Sequence, residues 1–315
     1  MRFAEHRNDP RLSRVIARLT DPLRVAVLGR DGVGRSTAAA ALAAAGVAVT
    51  ADATGADVHV LVIAETLKPE DRAALAAAAR PVVTVLNKAD LTGLGDGGPL
   101  PRANRRAADL RAQTGVPTVP MVALLATAEL DDELMRALHT LLAEPADMTS
   151  TDGFVSCRHS LTPVLRRRLL ASLDRFGIAR ALLTLDEGGD VSAALRRASQ
   201  IDRVVAHIHA AGAQVRYLRL RAAIIELHAL AVQFGDDGLS RLLTADAAVL
   251  AAMTAAVDVL EAAGVGVDRS QDAAAHLRRA VHWRRYSLGP VSALHRQCGA
   301  DIARGSLRLL GQVHV

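Results

Sequence analysis

Residues 24–37 have the sequence R-V-A-V-L-G-R-D-G-V-G-R-S-T, and this stretch decides the fold. Arg24 to Leu28 is a short apolar run that predicts a buried strand, and a glycine-rich turn leads from it into an alanine-rich segment, Thr37 to Ala45, typical of a helix. Such a turn is suited to phosphate groups, because backbone N–H groups and the helix N-terminus attract an anion. The sequence therefore predicts a phosphate-binding loop at 29–37.

The loop follows the pattern G-x-x-x-x-G-K-[ST] of phosphate-binding loops at every position except one. Arg35 stands where the pattern has lysine, and its planar guanidinium is bulkier and binds in another geometry. The glycines give the backbone the freedom to surround phosphate oxygens, and Ser36 is a predicted Mg²⁺ ligand. The candidate phosphate-binding residues are Gly29, Asp31, Gly32, Val33, Gly34, Arg35, Ser36 and Thr37. The alternative interpretation is a glycine-rich turn that binds no ligand.

A second motif, N-K-A-D at residues 87–90, follows another apolar run. A guanine base presents an N1–H group and an exocyclic amine on one edge, and the carboxylate of Asp90 can accept from both, whereas adenine presents the wrong pattern. The stem of Lys88 would cover the face of the base, and Asn87 would brace the loop. Lys88 and Lys68 are the only lysines among 38 basic residues, so a lysine inside this tetrapeptide is not expected by chance.

Apolar runs that favour strands alternate with helical segments through the first half of the chain. The predicted strands cover residues 24–28, 47–51, 58–63, 81–86 and 116–122. The predicted helices cover residues 37–45, 69–79, 102–114 and 130–143, and residues 91–101 are expected to form a loop. This alternation predicts an α/β fold with a doubly wound, mostly parallel sheet. Ligands of such sheets bind at the carboxyl ends of the strands, where both motifs fall.

Residues 24–143 resemble the G domain of translation-factor-like P-loop GTPases in the order of these motifs: a phosphate loop, then N-K-x-D, then a strand that ends in a small-residue loop. The resemblance implies GTP or GDP as the ligand, with Mg²⁺ as its cofactor. In the family the last loop backs the guanine base with a sequence such as S-A-K. The matching positions here are Ala123, Leu124 and Leu125, with the serine missing, and Ala123 and Leu124 are the candidate contacts.

The sequence departs from this family in the segments that change conformation with the nucleotide and that hydrolyse GTP. The D-x-x-G string that reaches Mg²⁺ and the γ-phosphate has one candidate here, D-A-T-G at 52–55, so Asp52 joins Ser36 as a predicted metal ligand. The next predicted strand follows at once, which leaves little room for the second switch. The first switch has no room between Ala45 and Val47, and no glutamine or histidine is expected to position water. The resemblance therefore implies a nucleotide pocket with reduced switching and catalytic parts.

The sequence predicts three segments: an N-terminal docking helix at 1–22, a reduced P-loop NTPase-like G domain at 23–148, and an all-α helical bundle at 149–315. Within the bundle, helical spacing of apolar residues predicts one helix over 192–210 and a turn over 235–238. The string L-R-R-R-L-L-A-S-L-D-R-F-G-I at 165–178 and the stripe that begins at Ile201 resemble the helical part that follows the G domain in actinobacterial dynamin-like GTPases. That resemblance implies a stalk or partner-binding bundle that acts at membranes.

Charge and cysteine content limit the class of protein further. Residues 151–315 have a net charge of +6 and residues 1–150 of −1, which fits solvated arginine-rich helix faces or a surface for anionic lipid or an acidic partner; nucleic acid is not expected. Trp283 lies between arginines and suits either an anionic surface or a helix end that plugs the core. The isolated Cys157 and Cys298, and the lack of an apolar run near the roughly 20 residues that span a bilayer, predict a cytoplasmic chain, with peripheral membrane contact left open.

Two functions remain open from the sequence. The first is a guanine-nucleotide-binding protein, with slow GTP hydrolysis and a helical effector or stalk domain. Its alternative is a pseudo-GTPase scaffold that binds little nucleotide and acts through a protein partner or through self-association of the helical domain. Arg35 and the reduced switches fit both, so the sequence leaves enzymatic activity undecided.

Overall fold

The computed structural model describes residues 10–93 and 97–313. Its contacts divide the chain into two compact units, which we call the sheet unit and the helical unit. The sheet unit comprises residues 24–208 and so carries both predicted ligand-binding motifs. The helical unit combines residues 209–313 with the described residues before Arg24.

Parallel strands form the centre of the sheet unit. They are β1 (Arg24–Leu28), β2 (Ala48–Thr50), β3 (Val58–Ala64), β4 (Val82–Asn87) and β5 (Thr118–Pro120). Their order across the sheet is β2-β1-β3-β4-β5, so the chain changes direction across the sheet between β1 and β3. In a doubly wound sheet, ligands bind in the crevice that such a reversal opens at the carboxyl ends of the strands. The predicted α/β fold, followed by an all-α region, is confirmed.

Helices follow or flank these strands and form most of the described chain after β5. In chain order they are α1 (Pro10–Thr20), α2 (Arg35–Ala44), α3 (Pro69–Ala76), α4 (Pro99–Thr114), α5 (Ala123–Ala126), α6 (Asp132–Ala143), α7 (Thr151–Ser156), α8 (Pro163–Asp186), α9 (Val191–Ser199), α10 (Ile201–Ala211), α11 (Ala213–Phe234), α12 (Asp237–Thr244), α13 (Asp246–Ala262), α14 (Ala273–Leu288) and α15 (Ala293–Val313). Within the predicted loop over 91–101, residues 94–96 lie outside the described residues, and α4 already begins at Pro99.

The helices α8 and α9 share a hydrophobic core with the segments that follow β5. Buried members of this core are Val122, Leu125, Leu134, Leu138, Leu141, Leu169, Leu173, Ile178 and Leu195. Burial of this apolar surface joins α8 and α9 to the sheet unit, which therefore extends to residue 208. The predicted boundary near residue 148 does not coincide with this division.

Two predicted segments differ in the structure. The helix expected over 192–210 is interrupted at Gln200, which has a left-handed φ of 62° and separates α9 from α10. The interruption leaves the carbonyl of Ser199 free to accept the N–H of Val122 at 3.0 Å, a bond between distant segments that helical periodicity does not reveal. The turn expected over 235–238 is the start of α12, where the carboxylate of Asp236 accepts from two N–H groups of the first turn.

The helical unit packs α1 against α11 and α12. Leu12 of α1 is buried in one cluster with Leu230, Leu239 and Leu243, and Arg18 forms an ion pair with Glu226. Within the segment 1–22 predicted as a docking helix, the described residues are helical over Pro10–Thr20. In the described part of the chain no single helix is long and apolar enough to cross a membrane, although α12 and α13, bent by 44° at their junction, reach that length and composition as a pair.

Trp283 belongs to the core of the helical unit. It is 2% exposed and lies in one cluster with Tyr217, Leu260 and Ile302. Its ring meets that of Tyr286 edge-on, with the centroids 4.9 Å apart. The prediction that Trp283 fills the core is confirmed, although it does so from within α14 and not from the end of a helix, and its interpretation as an exposed residue of an anionic surface is wrong.

Candidate functional site

The phosphate loop begins where β1 ends, and its shape depends on glycine. Gly29 has a φ of 149°, and a Cβ atom there would lie 2.6 Å from the carbonyl oxygen of Val62 on β3. Gly32 and Gly34 have φ of 80° and 83°, in the left-handed region that glycine adopts without steric cost. Helix α2 starts at Arg35 with no side-chain cap from Gly34, so no side chain competes with an anion for its first N–H groups.

Arg30 anchors this loop to α3, a contact that the sequence analysis did not predict. Its Nε donates to Oδ1 of Asp71 at 3.0 Å, and Oδ2 of Asp71 accepts the N–H of Lys68 at 2.9 Å. Asp71 is 1% exposed, so the buried carboxylate is paired on both oxygens. The sequence signal was only an acid in the first turn of a helix, which does not indicate a partner 41 residues away.

Asn87 joins three separate segments at the carboxyl end of β4. Its Nδ2 donates to the carbonyl of Val33 in the phosphate loop at 3.0 Å, and its Oδ1 accepts the N–H of Ala123 at 3.0 Å. The side chain is 3% exposed. The brace expected of Asn87 is therefore present, and it links the loop to the segment after β5 as well.

Lys88, the residue after Asn87, also contacts the phosphate loop. It adopts a left-handed φ of 54°, which directs its Nζ to the carbonyl of Gly32 at 2.8 Å. Lys88 and Asn87 thus contact two consecutive carbonyls of the phosphate loop. The stem of Lys88 is exposed beside the loop, and its role in covering a base stays a prediction.

Asp90 lies in a short 3₁₀ turn, Ala89–Leu91, directly after the end of β4. The side chain is half-buried. Burial raises the pKa of Asp90, and the nearby charge of Asp174 raises it further, while a backbone hydrogen bond and Lys88 act in the opposite direction. A partly desolvated carboxylate gains more from an N–H donor than an exposed one.

Asp174 interrupts α8 with an unusual backbone conformation. Its φ of 54° and ψ of 176° are not helical and lie in a region that is almost exclusive to glycine. Three residues later a Cβ atom at Gly177 would lie 2.5 Å from Cδ2 of Leu125, so α8 packs closely against α5. The segment predicted to back a guanine base is therefore covered on one side by α8, with Ala123 buried and Leu124 partly exposed.

The predicted metal ligands differ in their surroundings. Ser36 is exposed in the first turn of α2, as a ligand of phosphate-bound Mg²⁺ would be. Oδ1 of Asp52 instead accepts the N–H groups of Thr54 and Gly55, at 3.0 and 3.1 Å, and closes the turn between β2 and β3. One of the two carboxylate oxygens of Asp52 thus closes a turn, and the roles of Ser36 and Asp52 as metal ligands stay predictions. Among the described residues no group of three or more His, Cys, Asp or Glu side chains could hold a metal ion by itself.

The remaining phosphate-loop candidates differ in exposure. Arg35 is exposed, and its Nη1 donates to the carbonyl of Gly29 over a long 3.4 Å. Asp31 is exposed, Val33 is buried under the loop, and Thr37 is partly exposed. The structure therefore brings the two motifs together, while the roles of these residues toward a ligand stay predictions.

No model of a known protein family matches this chain, and no curated protein sequence matches it significantly. A functional assignment therefore depends on the residues and geometry described above.

Proposed function

We propose that the sheet unit binds a guanine nucleotide, GDP or GTP, at the carboxyl ends of β1 and β4. The observation that carries this proposal is that Asn87 and Lys88 donate to the consecutive carbonyls of Val33 and Gly32. The tetrapeptide suited to a base and the loop suited to phosphates thereby form one continuous surface. A nucleotide requires both ends at a fixed separation, and these two hydrogen bonds set it.

The base end of this surface favours guanine through Asp90. An ionised carboxylate accepts from the N1–H and the exocyclic amine of guanine, whereas adenine places an unprotonated nitrogen opposite it. Asp90 is half-buried, so pairing with the wrong base would leave it without partners in a poorly solvated place. The N–H of Ala123 is donated to Oδ1 of Asn87, so Ala123 positions the segment after β5 and does not itself donate this N–H to the base.

The phosphate end has two sources of positive potential. The N-terminus of α2 presents backbone N–H groups that no side chain caps. Arg35 lies at the same end, and its weak hydrogen bond to Gly29 would be readily exchanged for a phosphate oxygen. Arg30 uses its Nε for Asp71, so we assign the phosphate contact to Arg35 in preference to Arg30.

Slow hydrolysis of GTP is the enzymatic form of this proposal. Catalysis would consist of holding the phosphates and neutralising their charge through Arg35 and backbone N–H groups, with Mg²⁺ on Ser36 supplying further charge neutralisation when bound. We nominate no general base in the chain. A protein partner that binds the helical unit, or a second copy of the chain, would then supply the missing catalytic groups. We propose that the protein is cytoplasmic.

The alternative is a pseudo-GTPase scaffold, and one observation favours it. Only seven residues, 51–57, connect β2 to β3, and the carboxylate of Asp52 closes them into a turn. A segment of this length leaves little chain to respond to a γ-phosphate. In this alternative the sheet unit keeps the fold and the loop contacts, and acts by binding a partner protein.

Calorimetric titration with GDP, GTP and ATP, with and without Mg²⁺, tests the proposal. We expect micromolar binding of guanine nucleotides and none of ATP. The variant Asp90→Asn replaces an acceptor with a donor, so it should lose guanine nucleotides and gain xanthine nucleotides, in which a carbonyl replaces the exocyclic amine. The matched control is Asp109→Asn, an exposed aspartate on α4, which should leave guanine affinity unchanged.

Two results would decide against nucleotide binding. One is the absence of heat with every nucleotide in a protein that unfolds cooperatively. The other is equal affinity for GDP in the parent protein and in Asp90→Asn, because the base would then not be read by this carboxylate. Either result leaves the scaffold alternative, for which capture of a partner by the intact chain is the next experiment.

A further inference from the structure

A basic cavity lies within the helical unit. It has a volume of about 260 Å³ and is enclosed by residues of α11, α12, α13 and α15. Four basic side chains line it: Arg221, His228, Arg304 and Arg308. Asp301 is the acidic residue of the lining, and Asp246 outside the lining pairs with Arg308, so the three arginines exceed these two acids by one positive charge.

The acidic side chain at the floor of this cavity already has hydrogen-bond and ion-pair partners. Asp301 is 2% exposed, and its Oδ2 accepts the hydroxyl of Tyr217 at 2.8 Å. Its Oδ1 lies 3.3 Å from Nη1 of Arg221, which is itself partly buried. This pairing neutralises Asp301 and holds one face of the Arg221 guanidinium, so the acid is not open to a cation.

Arg304 and Arg308 lie at the mouth of the cavity. Nη1 of Arg308 lies 3.3 Å from Oδ1 of Asp246, and both side chains are about half exposed. Arg304 is exposed at the cavity edge, and among the described residues no acidic side chain forms an ion pair with it. Guanidinium groups bind tetrahedral and planar oxyanions through paired N–H donors, and apolar walls strengthen that attraction by excluding water. Ile224, Leu243 and Val249 supply such walls.

We propose that this cavity binds a phosphate monoester, with Arg304 and Arg308 on the phosphate and a small organic group against Ile224 and Leu243. A phosphate monoester carries about −1.5 to −2 charges at neutral pH. Arg304 would meet it directly, and Arg308 would exchange the half-exposed carboxylate of Asp246 for the phosphate. A free phosphate ester and the phosphate headgroup of a lipid share this chemistry. The inference is independent of guanine binding by the sheet unit.

Calorimetric titration of the full-length protein with glycerol 3-phosphate tests this inference, with glycerol and acetate as probes that lack a phosphate. We expect binding in the micromolar to millimolar range for the ester and none for glycerol. The variant Arg304→Gln should lower the affinity for the ester by about tenfold or more. The control Arg285→Gln changes an exposed arginine on α14 that does not line the cavity, and it should bind the ester as the parent does.

Co-sedimentation with vesicles distinguishes the two sources. Binding to vesicles that contain phosphatidic acid, lost in Arg304→Gln but retained in Arg285→Gln, identifies a lipid headgroup. Binding of the soluble ester without vesicle binding identifies a free phosphate ester.

Three results would overturn the inference. The first is that neither glycerol 3-phosphate at about 10 mM nor the vesicles bind to the protein. The second is that acetate binds as tightly as the ester, which would indicate a carboxylate site. The third is that the ester binds to Arg304→Gln as tightly as to the parent, which would locate the phosphate elsewhere, for example at the loop of the sheet unit. Thermal unfolding of each variant, expected to match the parent because Arg304 and Arg285 are exposed, excludes loss of the fold as the cause.

Discussion

The backbone of Gly34 lies directly against the side-chain amide of Asn87, so closely that a Cβ atom at position 34 would clash with Nδ2. That same Nδ2 donates to the carbonyl of the preceding residue, Val33. One buried amide therefore holds the phosphate loop at the end of β4 with no side chain between them. The distance between the phosphate end and the base end of the proposed site depends on this contact.

The variant Gly34→Ala should therefore lower the free energy of unfolding by more than the left-handed backbone conformation alone explains. Gly34 has a φ of 83° and Gly46 a φ of 85°, but nothing lies within 4 Å of a Cβ atom at Gly46. We expect Gly46→Ala to lower the free energy of unfolding by about 1 kcal/mol from left-handed strain. Gly34→Ala should cost about 1–3 kcal/mol more and remove nucleotide binding, because the amide of Asn87 must move.

Chemical denaturation of the two variants measures the difference. Equal losses in Gly34→Ala and Gly46→Ala would show that the loop yields without displacing Asn87. The close approach of these two segments would then not set the geometry of the site.

The raised pKa of Asp90 makes two quantities depend on pH. Burial, aided by the charge of Asp174, holds the pKa of Asp90 in the native state above its ordinary value. At a pH between the ordinary pKa and the native pKa, the native state therefore binds more protons than the unfolded chain. The contribution of Asp90 to the free energy of unfolding should therefore fall as pH rises through that window. Guanine affinity should change in the opposite sense, because only the ionised carboxylate accepts both hydrogen bonds from the base.

Affinity for GDP measured from neutral pH downward checks this expectation. It should decrease as the pH falls through the raised pKa of Asp90, and Asp109→Asn should show the same profile as the parent. A GDP affinity that is flat over this range, in protein that stays folded, would show that Asp90 does not bind the base as a carboxylate.

Arg35 is the side chain that we propose to neutralise phosphate charge at the loop. We expect Arg35→Gln to weaken GDP and GTP by about tenfold or more, which corresponds to the loss of a charge-assisted hydrogen bond worth about 1.5–3 kcal/mol. Arg35→Lys restores the residue usual in such loops and should retain most of the affinity. Arg72→Gln, an exposed arginine on α3, is the control and should bind as the parent does. Unchanged affinity in Arg35→Gln would remove this side chain from the site.

The local parts of this structure could be predicted from the sequence, because each depends on neighbouring residues. The strand Arg24–Leu28 has the predicted bounds, and N-K-A-D follows β4 as expected, since a run of buried β-branched residues is a local signal. The brace formed by Asn87 was predicted from motif chemistry. The break at Gln200 was not, because the hydrogen bond between Ser199 and Val122 that accompanies it joins residues far apart in the chain.

Contacts between distant residues account for the rest. The pairing of Arg30 with Asp71 and the packing of Gly177 against Leu125 arise only when the chain is folded, and neither residue type signals its partner. Trp283 could have served on the surface or in the core with the same flanking arginines. Its burial depends on how α14 packs against its neighbours, which the local pattern leaves undetermined.

Asp174 offers a test of strain at the proposed base site. Its φ and ψ lie in a region where a non-glycine residue costs about 1–3 kcal/mol, so Asp174→Gly should raise the free energy of unfolding by about 1 kcal/mol. This gain is net of the hydrogen bond from the N–H of Arg175 to Oδ1 of Asp174, which the variant loses. Asp174→Ala keeps the strained backbone and loses the same carboxylate, so it should be less stable than the parent.

Both variants should also lower the pKa of Asp90, because each removes the like charge that helps to raise it. The pH profile of GDP affinity should then shift toward lower pH by the same amount in Asp174→Gly and Asp174→Ala, although their stabilities differ in opposite directions from the parent. A shift in neither variant would mean that Asp174 does not act on Asp90. A loss of stability in Asp174→Gly as large as that in Asp174→Ala would mean that the backbone at 174 is not strained, and that the carboxylate is kept for its hydrogen bond to Arg175.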